Sequence, residues 1–208
     1  MNTAANGGTP KIMRTRKLSA DMRARFEMLE NDLQHGLVPA WVFGSDPDVY
    51  ALERERLFPR AWTFIGHVSE IPNRGDHLLR YIGEDSFIFI RSQDDHIRLL
   101  FNACRHRGSQ LCTVERGNSE KFQCPYHGWI YASSGELIGA PAQSDAIGGL
   151  DRSQWGLLEA HKLEQYRGFY FACLDDDAPV LADYLGDSAY YLKIFFALFD
   201  DLEVVGAI

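Results

Sequence analysis

The sequence predicts an α+β protein that is mainly β, with helices on either side of the β region. Apolar residues repeat every three or four positions near both ends of the chain, which is typical of helices, and every two positions in its middle, which is typical of strands. The 208 residues are therefore divided into three parts. These are an N-terminal tail with helices over 1–59, a β domain over 60–178, and a helical link that begins a further domain over 179–208.

Two helices are predicted in the first part. The first runs between Ser19 and Gly36, where apolar residues keep the helical period and the glycine supplies a stop signal. The second is predicted to begin at Ser45, which resembles a capping box together with Asp48. Pro47 suits the first turn of that helix because its missing N–H would have no helical partner there.

The middle of the chain consists of short β-branched and aromatic segments separated by Gly, Asn and Asp. The predicted strand segments are AWTFIGHVSEI, HLLRYIGEDSFIFIRS, HIRLLFNAC, the hairpin GWIYASSGELIG, GLLEAHKLEQY and GFYFACL. The last two are divided near Arg167 and Gly168. Together they predict a small antiparallel β domain whose loops carry two Cys/His pieces.

A helical stripe of apolar residues resumes at Leu181 and continues to Phe199. The chain then closes with LEVVGAI, an apolar run that reads as a strand. Such a run leaves apolar surface without a partner, so we expect another domain to follow it.

Composition and charge narrow the functional classes. The net charge is −8, from 21 basic and 29 acidic residues, which makes nucleic acid a poor partner. No apolar run is long enough for a membrane span. Residues 1–17 are predicted to form a loose, basic tail, and no secretory signal is expected there. We therefore expect a cytoplasmic protein with reduced thiols.

Four candidate metal ligands occur as two pairs, Cys104 with His106 and Cys124 with His127. Zinc fingers usually group Cys with Cys and His with His, whereas each loop here brings one of each. That arrangement suits a two-iron cluster in which one iron takes both thiolates and the other takes both imidazoles, as in a Rieske [2Fe–2S] centre. A zinc site and a non-metal role are the alternatives.

Several neighbours are predicted to surround the cluster. They are Arg107, Gly108, Tyr126, Gly128 and Trp129. The glycines would let the backbone approach the bridging sulfides, and the two aromatic rings would keep the cluster dry. The other cysteines, Cys112 and Cys173, are interpreted as small buried hydrophobic residues.

A group of basic residues also lies near the motifs. They are Arg105, Arg107, Arg116 and Lys121. The group is either a solvated rim or a docking patch for an acidic ferredoxin, where complementary charge would speed association.

The motifs CRHRG and CPYHGW, with seventeen residues between His106 and Cys124, resemble the Rieske domain of the large (α) subunit of aromatic-ring-hydroxylating dioxygenases of the naphthalene and biphenyl type. The similarity extends over nearly the whole chain after Trp41. Respiratory Rieske proteins have an extra Cys in each loop, whereas this chain has Ser109 and Tyr126 there. A stand-alone Rieske electron carrier, or a remnant without oxygenase activity, is the alternative.

The resemblance implies the electron-accepting part of a multicomponent oxygenase that adds O2 to an aromatic ring by cis-dihydroxylation, using electrons from NAD(P)H. It implies a ferredoxin or an NAD(P)H-dependent reductase as redox partner, a small β subunit, and a homotrimeric or α3β3 assembly. The family's mononuclear non-heme iron, held by two His and one carboxylate, is expected only in the full-length subunit. No catalytic residue is therefore assigned in this chain.

Overall fold

The protein is described by a computed structural model that covers residues 18–44, 46–141, 150–198 and 202–205. The polypeptide divides into two compact units, Met1–Pro59 and Arg60–Ile208. The described part of the first unit is helical and the second is mainly antiparallel β, which confirms the predicted fold class. The predicted loose tail over 1–17 lies outside the described residues, and the three-part division of the chain stays a prediction.

The first helix, α1 (Ala20–Gln34), forms where the sequence predicts it. The Ser19 hydroxyl accepts a hydrogen bond from the Met22 N–H at 3.1 Å, which satisfies one amide of the first turn. Gly36, at φ +71°, follows the last turn in the left-handed conformation that commonly ends helices.

Two more helices follow in the first unit, α2 (Ala40–Phe43) and α3 (Pro47–Arg56). The sequence does not predict α2, because a single turn is too short to show a period. The cap of α3 is Asp46, whose carboxylate accepts a hydrogen bond from the Asp48 N–H at 3.0 Å and carries a charge that favours a helix N-terminus. The predicted cap, Ser45, lies outside the described residues.

The second unit contains three antiparallel sheets. Its strands are β1 (Thr63–His67), β2 (Asp76–Ile82), β3 (Asp85–Arg91), β4 (Ile97–Phe101), β5 (Arg116–Asn118), β6 (Lys121–Gln123), β7 (Ile130–Ala132), β8 (Leu137–Gly139), β9 (Lys162–Tyr166) and β10 (Phe169–Cys173). The sheet orders are β1-β10-β9, β4-β3-β2-β5 and β6-β7-β8. The predicted hairpin around residues 133–135 is β7–β8.

Two of the predicted strands are shorter than their apolar pattern. After β1 the chain forms a short 3-10 helix, Val68–Glu70, in which the Glu70 carboxylate accepts the His67 N–H at 2.8 Å. Residues 156–161 do not join β9, and Glu159 makes an isolated bridge to Leu100 instead. An apolar pattern in the sequence therefore does not require a continuous ladder, and residues 68–70 are all partly buried rather than alternately buried and exposed.

The C-terminal apolar stripe forms two helices, α4 (Leu181–Leu185) and α5 (Ser188–Ala197). Gly186, at φ +48°, separates them. Residues 202–205 have no regular secondary structure, so the predicted strand is wrong for them, while Phe199 and residues 206–208 lie outside the described residues. Within the described ranges, no helix is long and apolar enough to cross a membrane.

One hydrophobic core joins side chains from β2, β3 and β4 to side chains from β6, β7 and β8. Trp129, Tyr131 and Leu100 are at most 1% exposed within it. Cys104 and Cys124 belong to the same core, so packing between these sheets brings the two Cys/His loops together.

Candidate metal centre

Two short loops carry the predicted ligands, and each loop lies next to strands that hold its position. The first ligand loop, residues 104–109, lies shortly after β4. The second ligand loop, residues 124–129, connects β6 directly to β7, which pair as an antiparallel hairpin.

The two loops have the same internal hydrogen bonds. In the first, the Cys104 N–H donates to the Ser109 carbonyl at 2.8 Å, and the Gly108 N–H donates to the Cys104 carbonyl at 2.8 Å. In the second, the corresponding bonds join Cys124 to Trp129 at 2.7 Å and Gly128 to Cys124 at 3.0 Å. Each loop is therefore a closed turn whose first residue is a cysteine.

The glycine near the end of each loop is required by the backbone conformation. Gly108 has φ +71° and Gly128 has φ +72°, in the left-handed region that side-chain-bearing residues rarely adopt. A Cβ at Gly108 would meet no atom of the described residues within 4 Å, whereas one at Gly128 would lie 3.3 Å from Pro141 Cγ. The positive φ, rather than crowding by the polypeptide, thus accounts for Gly108.

Both candidate thiols are buried, each 2% exposed. Burial acts to raise the pKa of Cys124, but hydrogen bonds to its sulfur, led by those from the N–H groups of His127 and Tyr126, outweigh burial and lower the pKa. N–H groups directed at a sulfur stabilise the thiolate, which is the form that binds metals.

A tyrosine hydroxyl completes the surroundings of the first sulfur. Tyr131 is fully buried, and its Oη lies 3.3 Å from Cys104 Sγ and accepts a hydrogen bond from the Arg105 N–H at 3.1 Å. Burial, followed by the contact with Cys104, raises the pKa of Tyr131, so the hydroxyl keeps its proton and is able to donate it to the sulfur. The sequence gives no sign of this role, because Tyr131 fits the alternating pattern of β7 like any other buried strand residue.

The two candidate imidazoles lie nearer to solvent than the thiols. The rings of His106 and His127 are 4.6 Å apart between centroids and are inclined by 67°, and both residues are only partly buried. Desolvation, followed by the charges of His127 and Arg107, lowers the pKa of His106. A lowered pKa favours the neutral imidazole, which is the metal-binding form.

Each imidazole is covered by an aromatic ring. Trp129 stacks on His106 with centroids 5.1 Å apart and planes inclined by 7°, and it is 1% exposed. Tyr126 lies over His127 at 3.7 Å, but its side chain is 60% exposed. Trp129 therefore covers its imidazole from the protein interior, whereas Tyr126 covers its imidazole from the solvent side, and the role of both rings beside a cluster stays a prediction.

The donor set fits a two-iron cluster. The chain brings together two buried sulfurs and two imidazoles nearer to solvent, and the buried Trp129 Nε1 has no hydrogen-bond partner among the described residues. In the same residues, no group of three or more His, Cys, Asp or Glu side chains could hold a single metal ion. A Rieske cluster does not require such a group, because each of its irons takes two protein ligands.

The basic residues near the motifs have different surroundings. Arg105 is partly buried, donates from Nη1 to the Gly156 carbonyl at 3.2 Å and lies over the Trp155 ring at 5.9 Å. Trp155, which the sequence did not single out, also meets Trp129 edge-on at 5.7 Å. The other basic residues have exposed side chains, namely Arg107, Arg116 and Lys121.

The remaining two cysteines occupy the places predicted for them. Cys112 is 5% exposed and Cys173 is fully buried, and burial raises the pKa of both thiols. Cys112 Sγ lies 3.5 Å from His77 Nε2. Raised pKa values disfavour the thiolate form and suit packing rather than metal binding.

The Rieske [2Fe–2S] domain family matches residues 61–166, a span that includes both ligand loops. The chain belongs to this family. The predicted cofactor class, a Rieske [2Fe–2S] cluster, is thereby confirmed.

Similar proteins place the Rieske domain within larger subunits. The chain is 45% identical over 183 residues to the N,N-dimethyl phenylurea N-demethylase subunit alpha of Sphingobium sp. (strain YBL2), covering 87% of this chain and 40% of that protein. It is 41% identical over 148 residues to the biphenyl 2,3-dioxygenase subunit alpha of Rhodococcus jostii (strain RHA1), covering 71% and 32%. These matches confirm the family resemblance inferred from the motifs.

The fold agrees with a solved structure of the same class. The crystal structure of naphthalene 1,2-dioxygenase from Rhodococcus sp. bound to indole matches with a TM-score of 0.85 and 46% identity. The match covers 92% of this chain and 44% of that one. This chain thus spans less than half the length of these relatives.

Proposed function

We propose that the four predicted ligands hold a [2Fe–2S] cluster and that this Rieske domain accepts electrons for an oxygenase α subunit. The ligands are Cys104, His106, Cys124 and His127. The observation that carries the proposal is the pair of loops with matched hydrogen bonds, which bring two buried thiols and two imidazoles together. When bound, the cluster supplies one-electron transfer.

The chain's own residues have separate tasks in this proposal. Around the sulfurs, the Tyr131 hydroxyl and the N–H groups of the second loop donate hydrogen bonds that stabilise negative charge. Around the imidazoles, Trp129 fixes the His106 ring and excludes water from one face. Because His106 and His127 are the ligands nearest to solvent, their edges form the side on which an electron would enter or leave.

The reaction of the whole subunit is proposed to be cis-dihydroxylation of an aromatic ring at a mononuclear iron outside these 208 residues. Two compared proteins support this assignment, since they are named as a biphenyl and a naphthalene dioxygenase. In this proposal the electrons come from NAD(P)H through a reductase or a ferredoxin. A small β subunit and an α3 or α3β3 assembly complete the proposed enzyme.

Oxidative N-demethylation is the second candidate reaction. It is favoured by the 45% identity to an N-demethylase subunit alpha. The full-length subunit, assayed with its redox partners on an unsubstituted arene and on an N-methylated arene, separates the two. A cis-diol from the first substrate supports dihydroxylation, whereas formaldehyde from the second supports N-demethylation.

The ligand assignment is tested by reconstituting the chain with iron and sulfide and recording low-temperature EPR spectra after reduction. We expect the Rieske signal and two irons per chain in the wild type. Cys104→Ala and Cys124→Ala should abolish both, because one iron loses one of its two thiolate ligands.

Cys173→Ala is the matched control, since it removes an equally buried thiol from β10. It should retain the iron and the signal. Loss of the cluster in the control but not in the two test variants would overturn the assignment.

A further inference from the structure

The side chain of Asn102 closes the chain around the first ligand loop. Its Oδ1 accepts hydrogen bonds from the N–H groups of Leu111 at 3.2 Å and of Cys112 at 2.8 Å, and its Nδ2 donates to the Cys112 carbonyl at 2.7 Å. Asn102 stands two residues before Cys104, whereas Leu111 and Cys112 follow the end of the loop. One amide thus joins the two chain segments on either side of the ligands.

The same amide is also anchored to the central sheet. Asn102 Nδ2 donates its second hydrogen bond to Ser86 Oγ at 3.1 Å, and the Asn102 N–H donates to the Ser86 carbonyl at 2.9 Å. Ser86 belongs to β3, which pairs with both β2 and β4. These hydrogen bonds therefore fix the position of the loop relative to β3, the most extensively paired strand of the four-stranded sheet.

The hydrogen-bonding capacity of Asn102 is fully used. Its two amide hydrogens and its oxygen make four bonds, and the residue is 3% exposed. An apolar side chain in its place would leave two buried N–H groups and one buried carbonyl without these partners. The free-energy cost would be much larger than for the same substitution at an exposed asparagine, whose partners could bond to water.

The second ligand loop is closed by the backbone. Gln123 and Ile130, the residues next to that loop on each side, are partners in the β6–β7 ladder. Around the first loop, an isolated bridge joins Ala103 to Gln110, and beyond it the Asn102 side chain takes the N–H groups. A side chain thus does for the first loop what a hairpin does for the second.

We propose that Asn102 is a positioning residue that sets where Cys104 and His106 lie relative to the second ligand loop. The proposal rests on the ligand set proposed above. Asn102 does not bind the cluster; it acts through the backbone that carries two of the ligands.

Hydrogen exchange in the metal-free chain, followed by mass spectrometry, tests the proposal without any cluster. We expect Asn102→Ala to speed exchange by about tenfold or more in peptides that cover residues 103–112, because those amides lose their closure. Exchange in peptides that cover residues 123–130 should stay at the wild-type rate.

Ile82→Ala is the control for general destabilisation. Ile82 is 3% exposed in β2 and is not part of the core that contains Cys104 and Cys124. It should affect the two loops to similar extents. An equal change in both loops of Asn102→Ala, or no change in either, would overturn the positioning role.

The reconstituted proteins give a second readout. Asn102→Ala should lose its iron several times faster than Ile82→Ala and should show an altered EPR line shape, since two ligands are displaced. A wild-type chain without a Rieske signal contradicts the ligand assignment. A normal wild-type signal with an unchanged line shape and iron half-life in Asn102→Ala contradicts the positioning role alone.

If Asn102→Ala does not yield folded protein, Ser86→Ala decides the question. It keeps the three bonds from Asn102 to Leu111 and Cys112 but removes the hydroxyl that anchors the amide to β3. A smaller increase in exchange, confined to residues 103–112, is expected. Failure to observe a selective increase would reject the proposal.

Discussion

The first and the second ligand loop follow nearly the same backbone path, with a cysteine at the start and a glycine at φ +71° or +72° near the end. They differ in what holds them. The second loop is the turn of a hairpin, so the ladder of β6 and β7 closes it. The first is closed by Asn102, a residue whose partners come from β3 and from the far side of the loop.

The two sulfurs also differ in their hydrogen-bond donors. Cys104 Sγ has the hydroxyl of Tyr131, which comes from the strand after the other loop. Cys124 Sγ has, first, N–H groups from its own loop, those of His127 and Tyr126, and then weaker contributions from the side chains of Cys104 and Ser109 in the first loop. The leading donors to the second sulfur therefore come from the backbone of its own loop, whereas the first sulfur has a side-chain donor from a distant strand. Single side-chain changes should consequently disturb the first loop more, and backbone changes should disturb both.

The largest effect is expected from an added methyl group at the loop glycines. Gly108→Ala should destabilise the protein by about 1–2 kcal/mol, because alanine resists a positive φ. Gly128→Ala should cost more, since its Cβ would also lie 3.3 Å from Pro141 Cγ. Urea unfolding and the half-life of bound iron measure both.

Gly36→Ala is the control for these two variants. It has the same φ of +71° and open space around its Cβ, but it ends α1 and does not belong to a ligand loop. It should lower stability without shortening the iron half-life. A shorter half-life for Gly108→Ala than for Gly128→Ala would contradict the expected order.

A smaller effect is expected from Tyr131→Phe. The variant removes the hydroxyl 3.3 Å from Cys104 Sγ, and without that donor the more negative, reduced cluster is less stabilised. The reduction potential should fall on the order of tens of millivolts, the size of one hydrogen bond expressed for one electron. Spectroelectrochemical titration of the reconstituted protein measures it.

Tyr126→Phe is the matched variant in the second loop. It keeps the ring over His127 and leaves the backbone N–H groups in place. Its potential should equal that of the wild type. A potential that is unchanged in Tyr131→Phe, or that shifts equally in both variants, would contradict the difference between the two sulfurs.

The smallest effect concerns the strand that leads to the first loop. Arg98 in β4 donates to both carboxylate oxygens of Asp94 at 2.7 Å, and this contact holds the pKa of Asp94 well below its usual range. A carboxyl with a lowered pKa stabilises the fold above its unfolded value of 3.8 and loses that contribution as the pH falls. The stability advantage of wild type over Asp94→Asn should therefore shrink between about pH 5 and pH 2.

Urea unfolding at several pH values measures this advantage, and hydrogen exchange locates it. The change should be larger in peptides from β3 and β4 than in peptides from β6 and β7. A stability difference that stays constant over the acidic range would show that the ion pair contributes nothing.

The cofactor class could be predicted from the sequence because the chemistry of the motifs is local. The order Cys-x-His followed by Cys-x-x-His limits the metal centre before any fold is known. The period-two pattern likewise predicted an antiparallel β domain. It overstated the lengths of β1 and β9, because the apolar pattern continues into residues that form a 3-10 helix after β1 and an isolated bridge before β9.

The supporting residues could not be predicted from local patterns. Tyr131 and Asn102 act through contacts with residues 27 and 10 positions away, to Cys104 and Cys112 respectively. Neither residue type marks such a contact by itself, since a buried tyrosine in a strand is usually a packing residue. The position of Trp155 beside the first ligand loop could not be predicted for the same reason, because its partner Trp129 lies in another part of the chain.

With His106 as a cluster ligand, as proposed above, the stacking of Trp129 on it would give the protein an optical reporter of its own metal content. The chain has four tryptophans, and two of them, Trp129 and Trp155, are in contact with each other beside the first imidazole. An iron–sulfur chromophore held by the neighbouring His106 would quench indole emission by energy transfer. Assembly and loss of the cluster can thus be followed in real time by fluorescence, without an added dye.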